Sequence, residues 1–76
     1  MNKQRRKAIE EITALLEEIQ EKIEEVKDAE EEAFDNLPES IQDSERGNAM
    51  QEAIYNLESA MDSVQEAVDS LETAAE

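Results

Sequence analysis

Residues 9–26, IEEITALLEEIQEKIEEV, decide the fold. Their large apolar side chains recur three and four residues apart, at Ile9, Ile12, Leu16, Ile19, Ile23 and Val26. Because an α-helix completes a turn every 3.6 residues or so, this spacing places all six side chains along one side of a helix. The stretch therefore predicts a long amphipathic helix with a heptad seam, in which Ile9 takes position a and Ile12 takes position d.

A second stretch carries a matching seam. Its apolar residues are spaced four and three apart, at Met50, Ile54, Leu57, Met61, Val64, Val68, Leu71 and Ala75. When the two stretches are placed antiparallel, the numbers of facing residues add up to 80 in six successive layers, from Ile9 with Leu71 to Val26 with Ile54. Each layer joins an a position to a d position, as in antiparallel coiled coils. The sequence therefore predicts an all-α fold, an antiparallel two-helix hairpin.

The segment between the two seams carries the signals that end one helix and start the next. Pro38 cannot continue a helix, and residues 38–42 predict one short helical turn with proline at its first position. Ser44 or Asn48 is the predicted N-cap of the second long helix. We therefore expect a single helical-hairpin domain over residues 1–76, with helix 1 at about 3–35, the loop at about 36–44 and helix 2 at about 45–75.

The two flanks of the predicted seam differ in character. The e positions are polar and predicted to face water: Thr13, Gln20, Lys27, Gln51, Glu58, Gln65 and Glu72. The g positions are mostly small and apolar, which allows another pair of helices to approach closely. We expect two hairpins to form a homodimer along this face, as a four-helix bundle. The predicted interface residues are Ala8, Leu15, Ala29, Ala53, Ala60, Ala67 and Ala74.

The composition limits the classes of function. The 76 residues include no cysteine and no histidine, so the usual ligands of zinc and the usual catalytic dyads and triads are missing. We therefore expect no enzymatic activity, no cofactor and no metal site. A hydrophobic core in so short a chain stabilises it by only about 3–5 kcal/mol, which also favours an oligomer.

The chain is strongly acidic, with 22 acidic and 7 basic residues and a net charge of −15. It should be repelled by bare nucleic acid and by anionic membranes, so we expect neither as a direct partner. No stretch approaches the length of a membrane span, and glutamates at positions 10 and 11 interrupt any signal-peptide core, so we expect a cytoplasmic protein.

Four of the basic residues lie together at the start of the chain, at Lys3, Arg5, Arg6 and Lys7. Cations at the N-terminus of a helix oppose its macrodipole, so another contact should favour them there. In the hairpin they would lie beside the acidic end of helix 2, near Glu72 and Glu76. A contact with phosphate or with an acidic partner is the alternative.

The b and c positions of helix 1 face away from the seam and are rich in glutamate. We define the acidic ridge as Glu17, Glu18, Glu24, Glu25, Glu31 and Glu32. Helix 1 carries a carboxylate about every 3.6 Å of its length, close to the ~3.4 Å between phosphates of one DNA strand. The ridge predicts either a nucleic-acid mimic that blocks a basic groove of another protein, or a surface that serves mainly solubility.

The only two aromatic residues are expected in the half of the hairpin near the loop. Together with their neighbours they define a loop patch: Phe34, Leu37, Ile41, Arg46 and Tyr55. Aromatic and aliphatic residues at the end of a bundle either cover the open core or form a partner-binding site.

Residues 31–47, EEAFDNLPESIQDSERG, resemble a loop of small acidic helical proteins from Gram-positive phages and prophages, and the similarity extends loosely over both helices. This resemblance implies a mobile-element protein in a bacterial cytoplasm, where such proteins often occupy a host or defence protein. It implies that Phe34, Leu37, Pro38 and Arg46 matter more than the acidic ridge.

The residues and the resemblance together favour a non-enzymatic helical bundle that binds a bacterial host or defence protein and inhibits or sequesters it. One alternative is the acidic nucleic-acid mimic. A second alternative is a structural or assembly protein that has no tight heterologous partner.

Overall fold

A computed structural model describes all 76 residues and consists of three helices. Helix α1 spans Lys3–Asp35, the short α2 spans Glu39–Gln42, and α3 spans Glu45–Ala74. α1 and α3 pack against each other along their length, and α2 packs on α3, so the chain forms a rod of 58 × 15 × 11 Å. The predicted all-helical hairpin is confirmed. A single chain does not show the second hairpin of the predicted bundle.

Each long helix begins at a residue whose side chain caps it. The Oδ1 atom of Asn2 accepts a hydrogen bond from the backbone N–H of Arg5 at 2.8 Å. The Oγ atom of Ser44 accepts one from the backbone N–H of Gly47 at 3.4 Å. Both oxygens satisfy amide groups that have no partner within the first turn of a helix. Of the two predicted N-caps of α3, Ser44 is therefore the one used.

The end of α1 is closed by a side chain from α2. The Nε2 atom of Gln42 donates to the carbonyl oxygens of Phe34 at 3.2 Å and Leu37 at 3.3 Å. These carbonyl groups lie where the backbone ladder of α1 stops. That of Phe34 also accepts from the backbone N–H of Leu37 at 3.0 Å, whereas that of Leu37 accepts only from Gln42. The hydroxyl of Ser44 donates to the carbonyl oxygen of Ile41, which ties α2 to the start of α3. The loop is therefore held by specific polar contacts.

Gly47 is buried in the first turn of α3 because the backbone of α2 passes directly over it. A Cβ atom at this position would lie 2.5 Å from the carbonyl carbon of Gln42 and 2.7 Å from its Cα atom. Only glycine permits this approach of two backbones.

Contacts between α1 and α3 fall within one residue of the predicted register. The Nε2 atom of Gln20 donates to the carbonyl oxygen of Met61 at 3.1 Å, and the Nε atom of Arg6 donates to that of Ala75 at 2.7 Å. In both pairs the residue numbers add up to one more than the 80 predicted for the seam layers. Val68 is the only buried apolar residue, at 3% exposure.

α1 is rotated about its own axis relative to the predicted seam. Its a positions, such as Leu16, are half-buried against α3. Its d positions are not, since Ile12 is 45% exposed, Ile19 is 46% exposed and Val26 is 56% exposed. The contact with α3 therefore runs along the a and e positions of α1, and one apolar row of this helix faces outward.

The prediction that the polar e positions of α1 face water is wrong. Thr13, Gln20 and Lys27 are half-buried against α3. The reason is that the two longer side chains find polar partners across the hairpin. Gln20 lies 3.4 Å from the side-chain oxygen of Gln65, and the Nζ atom of Lys27 lies 3.9 Å from a carboxylate oxygen of Glu58.

Candidate partner-binding surfaces

The rotation of α1 leaves a row of apolar residues exposed, which we call the apolar stripe. Leu15 is its most exposed member, at 59%. At ~1.5 Å per residue the stripe runs about 32 Å along the helix, and the exposed Lys22 interrupts it between Ile19 and Val26. Exposed apolar rows of this length mark interaction sites on soluble proteins. Its residues are Ala8, Ile12, Leu15, Ile19, Val26 and Ala29.

The alanine row of α3 completes this face of the hairpin. In an antiparallel pair the g positions of the two helices border the same side. Ala67 and Ala74 are exposed there, while Ala53 and Ala60 are half-buried. The structure therefore leaves Ala8, Leu15 and Ala29 open together with half of the alanine row. Of the seven predicted interface residues, five are therefore exposed and two are half-buried.

The acidic ridge is solvent-exposed along most of its length. Glu31 is its only half-buried member. The carboxylate of Glu31 lies 3.5 Å from the Nζ atom of Lys27, an e-position residue one turn earlier on the same helix. The remaining five glutamates make no ion pair, and they are Glu17, Glu18, Glu24, Glu25 and Glu32.

Lys27 is the one cation that lies between carboxylates of both long helices. Partial burial of its ammonium group lowers its pKa, but the nearby charges of Glu31, Glu58 and Asp28 raise it by more, so the pKa lies above its ordinary value. Lys27 therefore stays charged at neutral pH and joins α1 to α3 on the e side of the hairpin.

The loop patch is divided by the structure. Phe34, Leu37 and Ile41 are half-buried within the loop that Gln42 and Ser44 hold together, and Arg46 is exposed beside them. Tyr55 is 70% exposed and lies ten residues into α3, about 15 Å along the helix from its start. Tyr55 is therefore a separate exposed aromatic residue.

The basic N-terminal residues lie at the end of the rod opposite the loop. Arg6 contacts the main chain there, since its Nη2 atom donates to the carbonyl oxygen of Met1 at 2.9 Å and its Nε atom donates to that of Ala75. A cation suits this place because the last carbonyl groups of α3 lack donors and carry the negative end of the helix dipole. Arg6 thus lies beside the end of α3 that carries Glu72 and Glu76, and no ion pair joins the basic residues to either glutamate.

An open groove of about 260 Å³ lies between the start of α1 and the end of α3. The hydroxyl oxygen of Thr13 is buried beside it without a hydrogen-bond partner. The heptad pattern does not distinguish Thr13 from the other polar residues at the e positions, so its burial could not be predicted from the sequence. The groove is lined by Ile9, Glu10, Thr13, Ala14, Glu17, Glu72 and Ala75.

Side chains that bind metals are not gathered anywhere in the structure into a group of three or more. None of the helices combines the length and the apolar character that crossing a lipid bilayer requires.

No protein-family model matches the chain, and neither the curated proteins nor the solved structures include a significant match.

Proposed function

We propose that this chain is a non-enzymatic protein that works by binding another protein, and that its active form is a homodimeric four-helix bundle. The apolar stripe is the observation that carries the proposal. Leu15, Ile12 and Val26 are between 45% and 59% exposed on one face of a charged rod. A row of large apolar side chains left in water marks a protein–protein contact more often than a free surface.

The small core of the single hairpin supports the dimer. Only Val68 is buried among the apolar residues. A chain of this size rarely builds a stable core alone, and association is one of the usual remedies. A second hairpin on the apolar stripe would bury the large side chains that α3 leaves open, so folding and dimerisation would stabilise each other.

The loop is the proposed contact for a heterologous partner, a bacterial host or defence protein that is inhibited or sequestered. It remains accessible when the apolar stripe is covered, because it lies at the end of the rod. Phe34, Leu37 and Ile41 expose part of their apolar surface there, beside the exposed Arg46. The hydrogen bonds of Gln42 hold this segment in one shape, which lowers the entropy lost on binding. The similarity of residues 31–47 to loops of phage and prophage proteins suggests the bacterial cytoplasm as the setting.

The acidic ridge supports a second candidate function, mimicry of nucleic acid at a basic groove. Five of its six glutamates are exposed on a single unbroken helix, so the spacing of their charges is fixed. A partner bound in this way would be displaced by salt and by competing DNA. A structural protein without a tight heterologous partner is the third candidate.

Two measurements test the proposal. Light scattering should give a mass of about 17 kDa, twice the 8.6 kDa of one chain. A tagged chain should then retain a specific bacterial protein in both low and high salt, and in the presence of DNA. The partner should be lost with the loop variant Arg46→Ala, whose side chain is exposed.

A ridge variant separates the candidate functions. It carries Gln in place of Glu17, Glu18, Glu24 and Glu25, all of which are exposed. Loss of the partner from this variant, together with release by salt and DNA, would favour the mimic instead. A 17 kDa particle that retains no specific protein would favour the structural role.

A further inference from the structure

Two rows of exposed residues border the face that carries the apolar stripe, and they differ in charge. The row on α1 is the c row of its heptads and consists of Glu11, Glu18, Glu25 and Glu32. The corresponding row on α3 contains no charged residue and consists of Ala49, Asn56, Ser63 and Ser70. A chain with a net charge of −15 thus keeps one edge of this face acidic and the other edge neutral.

The broad face of the rod is large enough for a stable contact between two copies. Its outline of 58 Å by 15 Å has a projected area of about 870 Å², the product of the two. Standard protein interfaces bury about 800 Å² on each partner. A second copy stacked face to face would therefore cover the whole apolar stripe of each hairpin.

A two-fold axis can stack two such hairpins in two ways. In the first, α1 lies on α1 of the other copy, and the loops are at opposite ends. The glutamate row then faces the same row of the other copy, and like charges placed opposite each other destabilise a contact. In the second, α1 lies on α3 of the other copy, and the loops are at the same end. The glutamate row then faces the uncharged row.

We propose that the second arrangement is the one that forms. The register of the hairpin supports it, because the same antiparallel alignment pairs Glu18 with Ser63 and Glu25 with Asn56 across the dimer. It also places the large Leu15 opposite the small Ala67, so that the two surfaces interlock. The inference rests on the proposed dimer and adds to it the orientation of the second copy.

The arrangement determines what a partner protein meets. Both copies of the loop lie side by side at one end of the bundle, so that a partner can contact Phe34, Leu37 and Ile41 of each copy. The two clusters of basic N-terminal residues lie together at the opposite end. In the alternative arrangement each end would carry one loop and one basic cluster, and the loops would be separated by the length of the rod.

Distance measurements between spin labels test the orientation. The chain has no cysteine, so a single introduced cysteine is the only labelling site. Asp43→Cys marks the loop end and Gln4→Cys marks the basic end, and both positions are exposed. With the loops at the same end, both labels should give distances of about 20–30 Å between copies, the width of two helices with the label arms. Distances near 58 Å for both labels, at a mass of two chains, would overturn the orientation but not the dimer.

A charge substitution provides the second measurement. In Asn56→Lys/Ser63→Lys the new lysines would face Glu25 and Glu18 of the other copy, so the dissociation constant of the dimer should fall several-fold at low salt. The control Ser59→Lys/Thr73→Lys changes the net charge equally at exposed positions away from this face. If the lysines weaken the dimer relative to the control, they face each other, and the orientation is wrong. A particle of 8.6 kDa at all concentrations would refute the dimer of the proposed function itself.

Discussion

The backbone of Gln42 lies so close to Gly47 that no side chain fits between them. A Cβ atom on Gly47 would come within 2.5 Å of the carbonyl carbon of Gln42. The close approach occurs where α2 turns into α3, and Ser44 caps the new helix within the same turn. The geometry of the loop, and with it the position of the proposed partner contact, therefore depends on one glycine.

The first prediction concerns the variant Gly47→Ala. Within a helix this change would ordinarily stabilise the protein by about 1 kcal/mol, because alanine loses less backbone entropy than glycine on folding. Here the added methyl group would overlap the backbone of Gln42, so we expect a loss of about 2 kcal/mol. Urea unfolding measures the difference. Asn48→Ala, at the neighbouring exposed position, is the control and should change stability by less than about 0.5 kcal/mol. Equal or greater stability of Gly47→Ala would contradict the crowding.

The helices and their pairing could be predicted because the signals for them are local. Seam spacing identifies both long helices, Pro38 ends the first, and Ser44 starts the second. The register follows from matching the two seams. Gly47 could not be assigned from the pattern, because its burial depends on where α2 passes in space.

The rotation of α1 could not be predicted for a different reason. Over residues 9–29 the a, d and several g positions of α1 are apolar, so the pattern permits contact along either flank of the seam. The structure uses the e flank, where Gln20 reaches the main chain of Met61 at 3.1 Å. Such a polar contact across the hairpin leaves no periodic signal in the sequence. For the same reason the apolar stripe could not be predicted as an exposed row. Its residues were assigned to the seam and to its g flank.

The second prediction concerns Arg6, which donates to the carbonyl oxygen of Ala75 at 2.7 Å. In Arg6→Ala the end of α3 loses a donor and a favourable charge, so we expect a loss of about 0.5–1 kcal/mol and faster fraying of the last turn. Hydrogen exchange of the amides of residues 71–75 measures the fraying. Lys3→Ala also removes a cation but no such contact, and it should leave these amides unchanged. Equal exchange in both variants would show that Arg6 contributes only its charge.

The third prediction concerns the pH dependence of stability at Lys27. Because the carboxylates around it raise its pKa in the folded state above the ordinary 10.5, the charged lysine stabilises the fold fully below pH 10.5. This contribution should disappear as the pH rises through the higher folded-state pKa. Unfolding of the wild type and of Lys27→Met should therefore differ most at neutral pH, and the difference should shrink above pH 10.5. Lys27→Arg, which stays charged, should show no such change. A constant difference across this range would exclude the coupling.

The final prediction concerns the apolar stripe and the variant Leu15→Glu. In an isolated hairpin Leu15 is 59% exposed and contacts little, so glutamate there should be tolerated. In the proposed bundle the same carboxylate would be buried against the other copy, which costs several kcal/mol unless it is paired. We therefore expect Leu15→Glu to reduce the particle from two chains to one at micromolar concentration, and to lower the melting temperature together with its dependence on concentration. Light scattering and thermal unfolding at two concentrations measure these changes. Ala14→Glu adds the same charge at the next, exposed position and should leave mass and melting unchanged. If Leu15→Glu behaved like this control, the apolar stripe would be a free surface, and the proposed bundle would have to be abandoned.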